Sequence, residues 1–277
     1  EVYTFHSFCK KLLYHNMEQK SYYYPLKLSF LIANDAKFKG TAIKEEDKQK
    51  EFSKCFHELN CNEEAFEFFL ERADYYNAVG FDDSLYHVLK YFQENPNHIP
   101  IFKQIIVDEY QDFNKLEVSF IDLLGEKSPI LIVGDDDQAI YHDRKQASPD
   151  FIRNKKIDPQ FSSFELPYCS RCSKVIVDAV NSIINETKSR RYLKGRISKR
   201  FESYLKGKED TNRKHPKIIH AKSTRFGKNP DNYVAKYIEK KLLEIFKEPI
   251  DTTNLKHSCV LVIGPYYPKI IQERSEE

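Results

Sequence analysis

At 277 residues, with 40% hydrophobic and 14% aromatic side chains, the chain is long enough for one large or two modest domains with real cores, and too apolar for disorder. Its 44 Lys and Arg against 42 Asp and Glu leave a formal charge of +2, which excludes a bulk polyelectrolyte partner and confines any nucleic-acid contact to a local patch. No apolar run reaches membrane-spanning length, the N-terminus has no signal-peptide pattern, and the 6 cysteines without framework spacing fit a reduced, cytoplasmic protein.

In chain order, Phe5, Phe8, Cys9, Leu12 and Leu13 recur at helical spacing and predict a first helix. Residues 36–51 (AKFKGTAIKEEDKQKE) are charge-rich and read as an exposed loop or helix face. From Asn62, a capping residue followed by Glu63 and Glu64, the stripe Phe66, Phe69, Leu70 and Ala73 predicts a helix stopped by Gly80. A shorter helix fits 83–92, and ENPNHIP at 94–100 breaks it. The aromatics of 64–92 fall at helical spacing and read as core rather than as base stackers, so 14–95 forms a mostly helical unit.

Then the character changes. Short β-branched runs at 104–107 and 130–133 flank a helix opened by an Asn114/Glu117 capping box, carried by Leu116, Phe120, Ile121 and Leu124, and ended by Gly125. Strand, helix and strand at this length predict parallel strands buried on both faces, with any ligand outside their carboxyl ends. Further on come a helix from Ser173 (Val175, Ile176, Ala179, Val180, Ile183, Ile184), a basic stretch, a strand at 217–221 (KIIHA), a helix from Asp231 and a strand at 259–263 (CVLVI). These read as the opening half of a second α/β domain.

Both β-branched runs discharge into acids: IIVDEYQDFN at 105–114 and ILIVGDDDQAIY at 130–141. A strand ending in Asp-Glu suits phosphoryl transfer, with Asp108 holding magnesium and Glu109 aiming a base at water. The plainer alternative is a strand end capped by solvated acids.

VDEYQDFN followed by LIVGDDDQAIY resembles, nearly letter for letter, the second and third motifs of the UvrD/Rep/PcrA-like helicases of superfamily 1. TFHSFCKKLL at 4–13 resembles that family's TFHS-type motif, YNAVGFDDSLYHVL at 76–89 the end of its helical insertion, and LPYCSRCSKVIVDAVNSII at 166–184 its fourth motif. The resemblance implies an α/β fold with a RecA-like parallel sheet of the P-loop NTPase type, a helical insertion and the start of a second RecA-like domain. The implied boundaries are 1–13 and 98–165 for the first RecA-like domain, 14–97 for the insertion and 166–277 for the second. The implied function is an ATP-dependent helicase or translocase on single-stranded DNA or DNA junctions, using ATP and Mg2+.

Residue by residue, the resemblance implies that Asp108 binds magnesium and Glu109 activates water. Gln111 and Gln138 sense the γ-phosphate, and Arg171 reaches in as an arginine finger. Tyr141 lies under the single strand, with Thr4, His6 and Arg144 also on the DNA side. Stacking on such a ring is worth about 1–3 kcal/mol per base.

The sequence also departs from the family. No GxxxxGK[ST] occurs in these 277 residues, Asp143 stands where the family has an aromatic stacker, and Ser170 stands where it has an adenine-stacking Tyr. We expect the chain to be part of a longer protein whose phosphate loop falls upstream of Glu1, and the chain alone to be inactive. The alternative is a catalytically dead nucleic-acid-binding or scaffold module derived from a helicase. CSRC at 169–172 invites a zinc or redox reading, but a zinc site wants a second pair, and the fourth-motif resemblance accounts for the segment. The basic stretch 188–200 holds 7 Lys or Arg and no acid, and is either a phosphate-neutralising patch or a solvated loop.

Overall fold

The computed structural model describes residues 1–16, 28–38, 45–60, 63–204 and 240. All but the last lie in one compact unit, Glu1–Glu209. The Asn62 cap, the strands at 217–221 and 259–263 and, save residue 240, the helix from Asp231 lie outside the described residues.

Among the described residues, five helices come first: α1 (Phe5–Asn16), α2 (Leu28–Phe38), α3 (Glu45–Glu58), α4 (Glu63–Tyr75) and α5 (Phe81–Glu94). Their apolar stripes meet in a core built around Phe52, Phe56, Phe69 and Phe92, all essentially inaccessible to solvent. Edge-on ring pairs set this packing, with Phe56–Phe69 centroids 5.0 Å apart and Phe66–Tyr86 4.9 Å apart. Most aromatics of 64–92 therefore join or line the core, as their spacing implies, whereas Tyr75 and Phe81 are exposed. Within 36–51, the described residues are helical, up to Phe38 in α2 and from Glu45 in α3.

Gly80 does not stop α4, which ends at Tyr75; it caps α5 instead. Its N–H donates to Asp83 Oδ1 at 2.8 Å, and a Cβ there would lie 2.9 Å from that oxygen, which is why a residue without a side chain opens this helix.

The α/β portion follows, with β1 (Ile105–Val107), α6 (Lys115–Gly125) and β2 (Ile130–Ile132). The two strands pair parallel in the register Ile105↔Ile130, Ile106↔Leu131 and Val107↔Ile132. The capping box forms as the sequence implies: Asn114 Oδ1 accepts the Glu117 N–H at 3.0 Å, and Glu117 Oε2 accepts the Asn114 N–H at 2.9 Å. The apolar face of α6 is split between two cores. Leu116, Phe120 and Leu124 join the helical cluster, while Val118 and Ile121 pack with Val107, Tyr110 and Ile152.

The expectation of strands buried on both faces is not met. Ile106 is 64% exposed and Leu131 45% exposed, because among the described residues these strands pair only with each other and one face has nothing over it.

Beyond lie α7 (His142–Lys145), α8 (Asp150–Ile157), β3 (Tyr168–Cys169), α9 (Lys174–Ser189) and β4 (Glu202–Ser203). β3 and β4 pair parallel, and α9 packs on β4, with Asn181 Nδ2 donating to the Phe201 carbonyl at 2.9 Å. The stripe expected on α9 is only partly turned inward. Val175, Ala179, Val180 and Ile184 are half-buried, Ile176 and Ile183 are exposed, and the residue of this helix that is buried, Val177, lies outside the expected stripe. The described unit is thus mixed α/β, dominated by helices, with two short parallel sheets. No helix among the described residues is long and apolar enough to cross a membrane.

Candidate functional site

Parallel pairing brings the carboxyl ends of β1 and β2 to the same edge, and the backbone continues to knit beyond them. Val133 N donates to the Val107 carbonyl at 2.8 Å, and Tyr110 N donates to the Val133 carbonyl at 3.1 Å. Both acidic clusters therefore emerge side by side, one on the turn Tyr110–Asp112 and the other on the turn Asp136–Gln138.

Gln111 joins them. Its side chain is 1% exposed; Nε2 donates to Glu109 Oε2 at 2.7 Å, while Oε1 accepts the Asp135 N–H at 2.9 Å. Only this amide orientation satisfies both a carboxylate and an N–H. The approach is close enough to exclude a side chain at residue 134. A Cβ on Gly134 would lie 2.6 Å from Gln111 Oε1, 2.8 Å from Ile152 Cδ1 and 3.2 Å from Tyr110 N. The glycine of VGDDDQ is thus a steric requirement of the Gln111 clamp.

Asp108 sits exposed at the end of β1, and its Oδ1 accepts the Glu109 N–H at 2.9 Å. Glu109 adopts a left-handed backbone, φ 53° and ψ 39°, a conformation that costs an L-residue on the order of 1–2 kcal/mol. That turn carries its carboxylate to Gln111. Asp112 follows, its carboxyl held above the usual range by burial and by the nearby negative charge of Glu109. One Asp112 oxygen, Oδ1, is buried without a hydrogen-bond partner.

In the second cluster, Asp135 caps its own turn by accepting the Asp137 N–H at 3.0 Å, and its Oδ2 accepts from Gln138 Nε2 at 2.9 Å. The three aspartates are met by cations from distant sequence. Asp136, whose side chain is inaccessible to solvent, takes Arg153 Nε at 3.0 Å, Lys199 Nζ at 2.6 Å and the Ile197 N–H at 2.9 Å. Arg196 grips Asp137 with two parallel bonds of 2.7 and 2.8 Å, and Lys199 also bonds Asp135. Burial opposes charge on Asp135 and Asp136, but Lys199 together with Gln138 and the Asp137 N–H at Asp135, and with the Ile197 N–H and Arg153 at Asp136, outweighs it and holds both carboxyls below the usual range. Lys199 is raised in turn: burial opposes its charge, and Asp135 and Asp136 restore it. Two cations of the basic stretch, Arg196 and Lys199, are therefore committed to these aspartates. Asp135, Asp136 and Asp137 are also the acidic group, among the described residues, whose carboxylates lie close enough together to share a cation.

The remaining residues singled out from sequence are distributed as follows. Arg171 is exposed on the bend between β3 and α9. Thr4 precedes α1, and its Oγ1 accepts the Ser7 N–H at 3.4 Å. His6 stacks edge-on with Phe81 at 5.0 Å and, with His57, Leu116 and Lys145, lines a cleft of about 250 Å³. Tyr141 is 38% exposed at the start of α7. Arg144 and Asp143 lie within α7, but their side chains are outside the description. The structure thus brings Asp108, Glu109, Gln111 and Gln138 to one edge of the β1–β2 pair. Sequence reasoning missed Arg153, Arg196, Lys199 and Gly134. A signal for Arg196 and Lys199 existed in the run of cations at 188–200, which has three consecutive aspartates to match it.

This arrangement and these motifs are similar to those of UvrD/PcrA-like helicases. The family model described as UvrD/REP helicase N-terminal domain matches residues 29–160. An ATP-dependent DNA helicase PcrA from Leuconostoc citreum is 32% identical over 118 residues, which is 41% of this chain and 16% of that protein. The ATP-dependent DNA helicase srs2 of Schizosaccharomyces pombe is 34% identical over 119 residues, 41% of this chain and 13% of that protein. A PcrA from Staphylococcus aureus is 31% identical over 119 residues, again 41% of this chain and 16% of its own length. The matched stretch is thus a small part of each of these relatives.

Proposed function

We propose that this chain carries part of a RecA-like nucleotide motor that couples ATP hydrolysis to movement along single-stranded DNA or DNA junctions. Residues 1–13 and 98–165 belong to the first motor domain, 14–97 to a helical insertion, and 166–277 to the start of a second motor domain. The observation that carries the reading is the Gln111 clamp. It ties the carboxylate of the DEYQ turn to the backbone of the GDDDQ turn, so that a change at either turn is felt at the other. The likeness to ATP-dependent DNA helicases supports it.

The donor set fits a magnesium nucleotide, since Asp108 offers a hard carboxylate oxygen at an exposed strand end. Bound there, Mg2+–ATP supplies the phosphoryl group and neutralises its charge. Within the chain, Glu109 orients and deprotonates water, Gln111 holds Glu109 in place, and Gln138 reports on the γ-phosphate through Asp135. Arg171 serves as the arginine finger. Thr4, His6, Tyr141 and Arg144 face the single strand.

The test is single-stranded-DNA-stimulated ATP turnover by the natural protein. Glu109→Gln should lower kcat about 10²–10⁴-fold while nucleotide binding persists. Retained turnover removes Glu109 as the base.

A second reading, a binding module without catalysis, is favoured by one observation. Lys199, Arg196 and Arg153 already neutralise the aspartates of the third motif. On that reading the natural protein binds single-stranded DNA and turns over no ATP.

A further inference from the structure

We propose that Cys169 and Cys172 form a redox-responsive dithiol, closed to an intramolecular disulfide by exchange with a low-molecular-weight disulfide. The pair spans the bend where β3 ends and the chain turns into α9, with Ser170 and Arg171 between the two sulfurs in sequence. The bend is anchored on both sides. Glu202 N donates to the Pro167 carbonyl at 2.7 Å and Tyr204 N to the Cys169 carbonyl at 3.1 Å, while Ser173 begins the 16-residue helix α9.

Both thiols are half-exposed. The strand-to-helix bend sets the two thiols three residues apart, and the backbone N–H groups of Cys172 and Arg171 and the Cys172 thiol favour a thiolate at Cys169. Burial opposes a thiolate at Cys169, but those three donors and the Arg171 charge outweigh it and hold its thiol below the usual range. Cys172 is shifted the other way, first because it donates to Cys169 and then by burial. This asymmetry makes Cys169 the attacking sulfur and Cys172 the resolving one. Cys9 gives the contrast: burial, and the negative charge of Glu117, push its thiol far up, and it is walled into the helical core.

The exchange balances in two steps. The Cys169 thiolate attacks one sulfur of the reagent disulfide; the reagent S–S bond breaks, one thiolate leaves, and a mixed disulfide forms on Cys169. The Cys172 thiol then loses its proton and attacks Cys169 Sγ, expelling the second reagent thiolate. Two protein thiols are oxidised to one disulfide, and one reagent disulfide is reduced to two thiols. Closure fixes the bend that presents Arg171. Its effect on hydrolysis rests on the motor reading above, whereas the thiol chemistry does not.

The experiment incubates the reduced 277-residue chain with graded oxidised and reduced glutathione, quenches with acid, alkylates, and weighs the peptide holding both cysteines after cleavage that spares Arg171. We expect that peptide to be lighter by two hydrogens and refractory to alkylation under conditions that leave Cys9 and Cys55 reduced. Cys172→Ser should stop at the glutathione adduct on Cys169, and Cys169→Ser should react about tenfold more slowly. The proposal is overturned if Cys169 and Cys172 remain as alkylatable as in the untreated chain. It is equally overturned if the two serine variants form adducts at equal rates.

Discussion

Gln111 carries more of the site than any other single side chain, because it is buried and both ends of its amide are engaged. Replacing it by Ala leaves a part-buried N–H and a carboxylate without this partner, so Gln111→Ala should destabilise the chain by about 1–3 kcal/mol in a denaturant titration. Gly134→Ala attacks the same contact from the other side. The added methyl meets Gln111 Oε1, Ile152 and the Tyr110 backbone, and a loss of about 1–3 kcal/mol is expected. A Gly134→Ala chain with an unchanged denaturation midpoint would mean the two turns can spread without penalty. At this scale the sequence was legible where chemistry repeats a known pattern. Asp108, Glu109, Gln111 and Gln138 stand at one sheet edge. It was not legible where a residue matters for what it lacks: nothing in the string of letters places Ile152 or Tyr110 over Gly134.

Among elements, α6 was readable from end to end, because its signals are local: the Asn114/Glu117 box, an apolar stripe and a terminal Gly125. Asn114→Ala should cost about 0.5–2 kcal/mol, seen as an earlier unfolding midpoint, with the loss concentrated in α6 by hydrogen exchange. Gly80 was misread for an equally physical reason. A glycine between two helical patterns can end one or begin the next, and here the Asp83 carboxylate three residues on decides in favour of the beginning. α9 shows what periodicity cannot supply. Six apolar residues recur at helical spacing, yet Ile176 and Ile183 stay exposed, since burial depends on what lies opposite and not on the helix itself. The strands raise the same issue, with β-branched runs correctly placed and Ile106 and Leu131 nonetheless open to solvent.

For the whole unit, the ties between the 196–199 segment and the 135–137 turn are long-range, and composition hides them: a net charge of +2 says nothing of where opposite charges meet. Their pH dependence has a worked sign. Asp135 and Asp136 are depressed, so their contribution is complete above the unfolded carboxylate value of about 3.9 and is lost as pH falls through their lower folded values. Lys199 is raised, so its contribution is complete below about 10.4 and is lost as pH rises through its higher folded value. Stability should therefore hold between these limits and fall on both sides. Lys199→Met should lose several kcal/mol at neutral pH, because Asp136 stays buried beside a weakened partner set. It should also show a shallower acid loss than the parent. An acid limb of equal steepness would place the linkage elsewhere.

Since these 277 residues contain no GxxxxGK[ST], the purified chain should hydrolyse no ATP above background, with or without single-stranded DNA. Turnover by this polypeptide would require another phosphate cradle.

The central claim is that one buried amide couples the two acidic motifs through Glu109, and a double-mutant cycle on DNA-stimulated ATP turnover in the natural protein tests it most directly. The account predicts that Gln111→Ala and Glu109→Gln each lower turnover, and that the pair together lowers it no further than Glu109→Gln alone. Losses that simply multiply would contradict the account, because Gln111 would then act on the reaction without passing through Glu109.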